Sequence, residues 1–204
     1  MENIVVNVLI IILILVVFFY LLYWLGGESI IFFRKKKVKN DPEAGEKVLA
    51  PLQRFARVRS YRVLPDLTLY YKGEGAHYDA VLVGYFGVLF VTAMGQGGEV
   101  YGSDEEEQWL QVFEEERSRF ENPGISNSQR VKVMRAVLSD AGLKIPVLEG
   151  MTVFTQKDAV VNVPRSTPHM RLEDLGSNID KAKYITDNGV EIEKVVEALE
   201  KYRQ

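Results

Sequence analysis

The chain has no cysteine among its 204 residues, which excludes disulfides, a thiol nucleophile and zinc–thiolate sites. Histidine is nearly as scarce. The two present, His77 and His169, are far apart and neither stands at a metal-ligand spacing, so both read as isolated polar residues. Positive charge is in deficit once the first forty residues are passed. From Asp41 onward there are 20 Lys and Arg against 26 Asp and Glu, a net charge of −6. That balance disfavours non-specific binding to nucleic acid, which relies on basic surface to release counterions. No Lys or Arg precedes the first apolar run and no small-x-small site follows it, which argues against a cleaved leader.

The apolar run itself is unbroken. From Val8 to Leu25 there are 18 residues without a charge, and extension back to Ile4 reaches the roughly 20 that a helix needs to span hydrocarbon. Residues 1–28 are therefore expected to form a transmembrane helix that contacts membrane lipid. Tyr20, Tyr23 and Trp24 cluster at its end, where amphipathic rings favour the headgroup layer. Arg34, Lys35, Lys36, Lys37 and Lys39 follow in a basic juxtamembrane segment, 29–40, while Glu2 is the only charged side chain before the run. Basic residues stay on the cytoplasmic side, so the expected arrangement is a single pass through the cell membrane, N-terminus outside and the remaining domain cytoplasmic. The same five cations could also meet anionic lipid.

Beyond residue 40 the pattern is mixed. Asp41-Pro42 reads as a helix start, followed by Val48, Leu49, Leu52, Phe55 and Ala56 at helical spacing, with Pro51 expected to kink or break the helix. Strand-like runs occur at Tyr61–Leu64, Leu67–Tyr71, Tyr78–Val83, Val88–Met94, Glu99–Tyr101 and Trp109–Phe113, suggesting a meander. The stretch Gly95-Gln96-Gly97-Gly98 has no helix behind it and no Lys-Ser/Thr end, so a tight hairpin turn is expected rather than a phosphate loop. Ser126–Ala141 reads as a second helix, with Ser126 and Gln129 spaced as a capping box. A strand at Val147–Phe154, short elements at Asp158–Val163 and Met170–Leu175, and an amphipathic helix at Val190–Tyr202 complete the chain. The fold class expected is α/β or α+β, a mixed sheet flanked by helices. The division expected is a domain at 41–175 and a C-terminal helical extension at 176–204.

Several short marks recur in order: Gly45-Glu46, Tyr78-Asp79-Ala80-Val81-Leu82-Val83, Gly87-Val88-Leu89-Phe90-Val91, Gly98-Glu99-Val100-Tyr101-Gly102, Trp109, and Asn122-Pro123 with Gln129. Together they resemble the nuclease-related (NERD) domain, a branch of the PD-(D/E)XK nuclease-like superfamily often found in bacterial proteins. The resemblance covers about Ala44 to Thr155 and implies a restriction-endonuclease-like core. It also implies that Asp79 matches the acidic residue that, with the Glu and Lys of a following Glu-x-Lys, binds Mg²⁺ and positions water in active members.

The chain departs from that pattern at the second motif, where the Glu position falls on Thr92 and the Lys position on Met94. A neutral hydroxyl and a soft thioether are poor ligands for a hard cation. No cofactor is therefore expected, and the leading expectation is a catalytically degenerate domain that serves as a binding or scaffolding module. The alternative is a membrane-tethered, Mg²⁺-dependent nuclease acting on DNA or RNA, with Glu46 and Gln96 joining Asp79 as migrated site residues. A third reading is a lipid-proximal structural protein. Asp79, beside an apolar strand, needs a partner in every case, either the Thr92 hydroxyl or a backbone N–H.

Overall fold

A computed structural model describes residues 11–21 and 39–204. Two compact units are present, Met1–Lys37 and Val38–Gln204. In the first, residues 11–21 are helical (α1) and their side chains are exposed. Among the described residues no helix is long and apolar enough to cross a membrane. The rest of the expected span and Arg34, Lys35, Lys36 and Lys37 lie outside the described residues.

The second unit is a mixed α/β fold with two mixed sheets flanked by helices, where the strand pattern alone suggested one sheet. The larger sheet has the order β1 (Arg62–Tyr71), β2 (Glu74–Gly84), β3 (Gly87–Met94), β7 (Val147–Phe154) and β9 (His169–Arg171). Its first three strands are antiparallel, and β3–β7–β9 are parallel. The smaller sheet has the order β6 (Glu116–Glu121), β5 (Gln108–Phe113), β4 (Glu99–Tyr101) and β8 (Val160–Asn162). The expected meander is thus two meanders. The stretch Gly95–Gly98 is not a hairpin turn, because β3 and β4 belong to different sheets and this stretch carries the chain between them. β6 escaped the sequence reading because its alternation of Glu, Arg and Ser offers no buried apolar face.

Ala80–Gly84 and Gly87–Thr92 are buried without interruption, as central strands covered on both faces should be. On one face α2 (Ala44–Arg59) sends Val48, Leu52, Phe55 and Ala56 onto β1–β3. The helix starts at Ala44, later than Asp41-Pro42, and runs unbroken through Pro51. On the other face α3 (Pro123–Asp140) packs on β7, β2 and β1. It begins three residues before Ser126. Asn122 is the N-cap: its Oδ1 accepts the Gly124 N–H at 2.9 Å, and Pro123 fills the first turn, where a missing N–H costs nothing. The expected capping box does not form. The Ser126 hydroxyl donates instead to the Asn122 carbonyl, and Gln129 Nε2 to Glu74 Oε2 at 3.4 Å.

The segment Met170–Leu175, read as a strand and turn, splits into β9 and α4 (Leu172–Ile179), so a division after residue 175 falls inside a helix. α5 (Ala182–Ile185) and α6 (Ile192–Lys201) follow. Ile179, Tyr184, Ile192, Val195 and Leu199 all join the main core. The C-terminal end also covers the edge of β1, with the Tyr70 N–H donating to the Tyr202 carbonyl at 3.1 Å and the Gln204 N–H to the Thr68 carbonyl at 3.1 Å. Pairing an edge in this way removes a template for aggregation. Leu199→Ala is expected to cost about 2–5 kcal/mol in chemical denaturation followed by Trp109 emission, since Leu199 is fully buried. Glu197→Ala, exposed on the same helix, should change little.

Candidate functional site

β2 and β3 pair only from Ala80–Val91 to Gly84–Gly87. Beyond that point β2 continues with β1 and β3 continues with β7, so the two central strands fork. Asp79 stands in the fork. Its Oδ2 accepts the Ala93 N–H at 2.8 Å, so the partner is a backbone amide rather than Thr92. A charge-assisted bond of this kind contributes about 1.5–3 kcal/mol and here replaces a lost ladder bond. The other oxygen, Oδ1, lies beneath the first turn of α2, where a Cβ on Gly45 would come within 3.4 Å. The partial positive charge of that helix end favours a carboxylate. His77, two residues earlier on β2, places Nε2 3.6 Å from Asp79 Oδ1 and Nδ1 3.7 Å from Asp66 Oδ1. His77 therefore belongs to this corner, a proximity hidden in the sequence by its lack of any ligand spacing.

Thr92 is buried and turned to a different partner. Its hydroxyl donates to Asn127 Oδ1 at 2.7 Å, and Asn127 Nδ2 donates to the Thr152 hydroxyl at 3.1 Å. Arg130, one turn on, donates from Nη1 to Asn127 Oδ1 at 3.3 Å and from Nε to the His77 carbonyl at 2.7 Å. This chain ties α3 to β3, β7 and β2 through satisfied buried groups. Met94 is buried in a second apolar cluster with Val100, Trp109, Phe154 and Ala159, between the ends of β3 and β7 and the smaller sheet. Both side chains thus serve packing.

Glu46 is exposed on the first turn of α2, and no hydrogen bond or ion pair engages it among the described residues. Gln96 lies beyond the end of β3, so the strand does not carry it onto the face of Met94; it bridges instead to Asn40. Among the described residues its buried Oε1 has no hydrogen-bond partner. Lys39 pairs with Glu116 at 2.6 Å, and its carbonyl accepts from the Gly97 N–H at 2.9 Å and from Gln111 Nε2 at 2.8 Å.

Asp41 is the residue that the sequence reading undervalued. Its side chain is 7% exposed; it accepts from Lys47 Nζ, from the Glu43 N–H at 3.1 Å and from the Thr155 hydroxyl at 3.4 Å. Gly95 lies against its backbone, donating no side chain to a space where a Cβ would meet the Asp41 carbonyl at 2.4 Å. Burial pushes the Asp41 carboxyl up, but the bonds from Lys47, Glu43 and Thr155 outweigh it and hold it below the ordinary 3.8. An Asp next to Pro at a helix start reads simply as a cap, and nothing local reveals Thr155 114 residues away.

These residues do not fit a Mg²⁺ site. Asp79 offers one carboxylate, Thr92 spends its hydroxyl on Asn127, Met94 is sealed in a core, and among the described residues no group of three or more His, Cys, Asp or Glu could hold a metal. What the corner brings together is a carboxylate and an imidazole, 3.6 Å apart.

Two outcomes follow from this geometry. The double substitution Thr92→Glu with Met94→Lys is expected to destabilise the fold by about 3–5 kcal/mol, because two charges would be taken out of water and two packed side chains lost; a denaturation midpoint at or above wild type would contradict it. Asp41→Asn is expected to cost about 1–3 kcal/mol at neutral pH. A carboxyl held below its unfolded value stabilises the fold fully above that value, so the difference from wild type should shrink as pH falls below 3.8 towards the lowered folded value. Denaturation midpoints across that range measure it.

A family model described as the nuclease-related domain (NERD) matches residues 42–155. No curated protein and no solved structure matches the chain. The matched span takes in more than half of the sequence, from the turn before α2, through the fork that holds Asp79, to the end of β7 and Thr155. On that span, and with Asp79 in its fork, the chain belongs to the nuclease-related domain family.

Proposed function

We propose that this is a single-pass membrane protein whose cytoplasmic nuclease-related domain, built on a restriction-endonuclease-like core, is catalytically degenerate and acts as a binding or scaffolding module. The observation that carries the reading is the fate of the two motif positions. Thr92 is bonded into the Asn127–Thr152 chain and Met94 is packed in an apolar cluster, so neither side chain is free to meet a metal or a phosphate. Removing one preorganised electrostatic group typically costs 10²- to 10³-fold in rate, and here two are replaced. The membrane part rests on the charge-free run Val8–Leu25 and the basic residues that follow it.

The rival reading, a nuclease using Mg²⁺ with ligands from Glu46, Asp79 and Gln96, has less support. Glu46 is exposed and, among the described residues, makes no hydrogen bond or ion pair with Asp79, and Gln96 has left the strand that would have aligned it. The two readings separate in a cleavage assay with the full-length chain, single- and double-stranded DNA and RNA, and Mg²⁺ or Mn²⁺. No cleavage above background is expected. Cutting that disappears on Asp79→Ala would overturn the proposal.

A further inference from the structure

The domain is acidic, yet one face of it carries the opposite sign. Lys132 and Arg135 stand three residues apart on α3, where side chains at that spacing are neighbours, and Ser139 continues the same exposed stripe. Lys144 lies in the loop that follows. Among the described residues, no ion pair or side-chain hydrogen bond engages Lys132, Arg135 or Lys144. The acidic groups nearest in sequence are already committed: Asp140 accepts from the Tyr71 and Tyr202 hydroxyls, and Glu149 from Lys183 and the Tyr184 hydroxyl.

Arg135, Ser139 and Lys144 rim a groove of about 260 Å³ whose wall is aliphatic. Leu143, Ile145 and Leu148 are each half-buried against the main core and contribute their remaining surface to the groove. No aromatic ring lines it, so it offers nothing on which a nucleobase could stack. Three cations against the one nearby carboxylate of Asp140, around an aliphatic floor, match a molecule with phosphate at one end and hydrocarbon at the other.

We infer that the face formed by α3 and the loop 141–148 docks on an anionic lipid surface, with Lys132, Arg135 and Lys144 meeting headgroup phosphates and Leu143 and Ile145 reaching the acyl boundary. The inference rests on the membrane tether proposed above, which keeps the domain within reach of a bilayer. It is distinct from the basic stretch that follows the apolar run, since it orients the folded domain rather than its linker. Each cation close to an anionic leaflet shifts the balance by roughly fivefold, so the three together favour the docked state by roughly 10²-fold.

Because the chain has no cysteine, Ser139→Cys gives a single attachment point for an environment-sensitive fluorophore. The labelled full-length chain is reconstituted in nanodiscs of phosphatidylcholine alone and in discs that also contain phosphatidylglycerol. A blue shift is expected only in the anionic discs. It should be lost at high salt, and lost when Lys132, Arg135 and Lys144 are each changed to Glu; the salt titration of the parent chain does not depend on the folding of that variant. Equal emission in the two discs, or a shift that survives both salt and charge reversal, would overturn the inference. A shift produced in neutral discs by an added oligonucleotide would overturn it in favour of a nucleic-acid face. Failure to co-purify with neutral discs would count against the tether alone, and the face would then be supported by co-purification with anionic discs that charge reversal abolishes.

Discussion

Where β2 and β3 part, the backbone stops satisfying itself, and the Asp79 carboxylate takes over. By accepting the Ala93 N–H it stands in for the ladder bond that the fork removes, and it places a negative charge under the first turn of α2. The geometry around it follows from that gap. β2 is released to pair with β1, β3 is released to pair with β7 in parallel, and α2 lies across the antiparallel part of the sheet with its N-terminal turn over the opening. The fork holds the Asp79 carboxylate, with the His77 ring beside it and Asp66 on the far side of that ring.

The positions next to the fork have been turned to structural use in two ways. Thr92 joins a chain of amide and hydroxyl groups that runs from Thr152 through Asn127 to Arg130, and so fastens α3 to three strands. Met94 closes the apolar cluster that joins the larger sheet to the smaller one, against Trp109 and Phe154. A charge at either position would have to be taken out of water and would disrupt these contacts. Thr92 and Met94 are thus committed to hydrogen bonding and packing within the fold, while Asp79 is committed to the fork.

A second fastening sits at the entrance to the domain. The backbone of Lys39 and Asp41 pairs with Gly95 and Gly97, Gln111 reaches the Lys39 carbonyl, and the Asp41 side chain meets Lys47 and Thr155. The start of α2 is thereby held against the ends of β3 and β7. This clasp gives the glycine-rich stretch its purpose: Gly95 is needed because Asp41 approaches its backbone too closely for a side chain, not because a phosphate must be cradled there. The Lys39–Glu116 pair at the surface adds little to stability on its own, since exposed ion pairs are weak.

Much was legible in the chain itself. Apolar runs marked β2 and β3 as strands, Val147–Phe154 was legible as a third, and the spacing of Val48, Leu52, Phe55 and Ala56 marked α2. These are local properties, set by period and residue type. The tertiary structure decided what local pattern cannot carry: that the strands divide into two sheets, that Asn122 rather than Ser126 caps α3, that Gln96 leaves the strand, and that the C-terminal helices belong to the core. It also decided that Asp79 meets Ala93, Thr92 meets Asn127 and Asp41 meets Thr155, at separations of 14, 35 and 114 residues. Hydrogen bonds across such separations exist only once the elements have packed, so the charge a residue bears is written in the sequence, while the group that answers it is chosen by the fold.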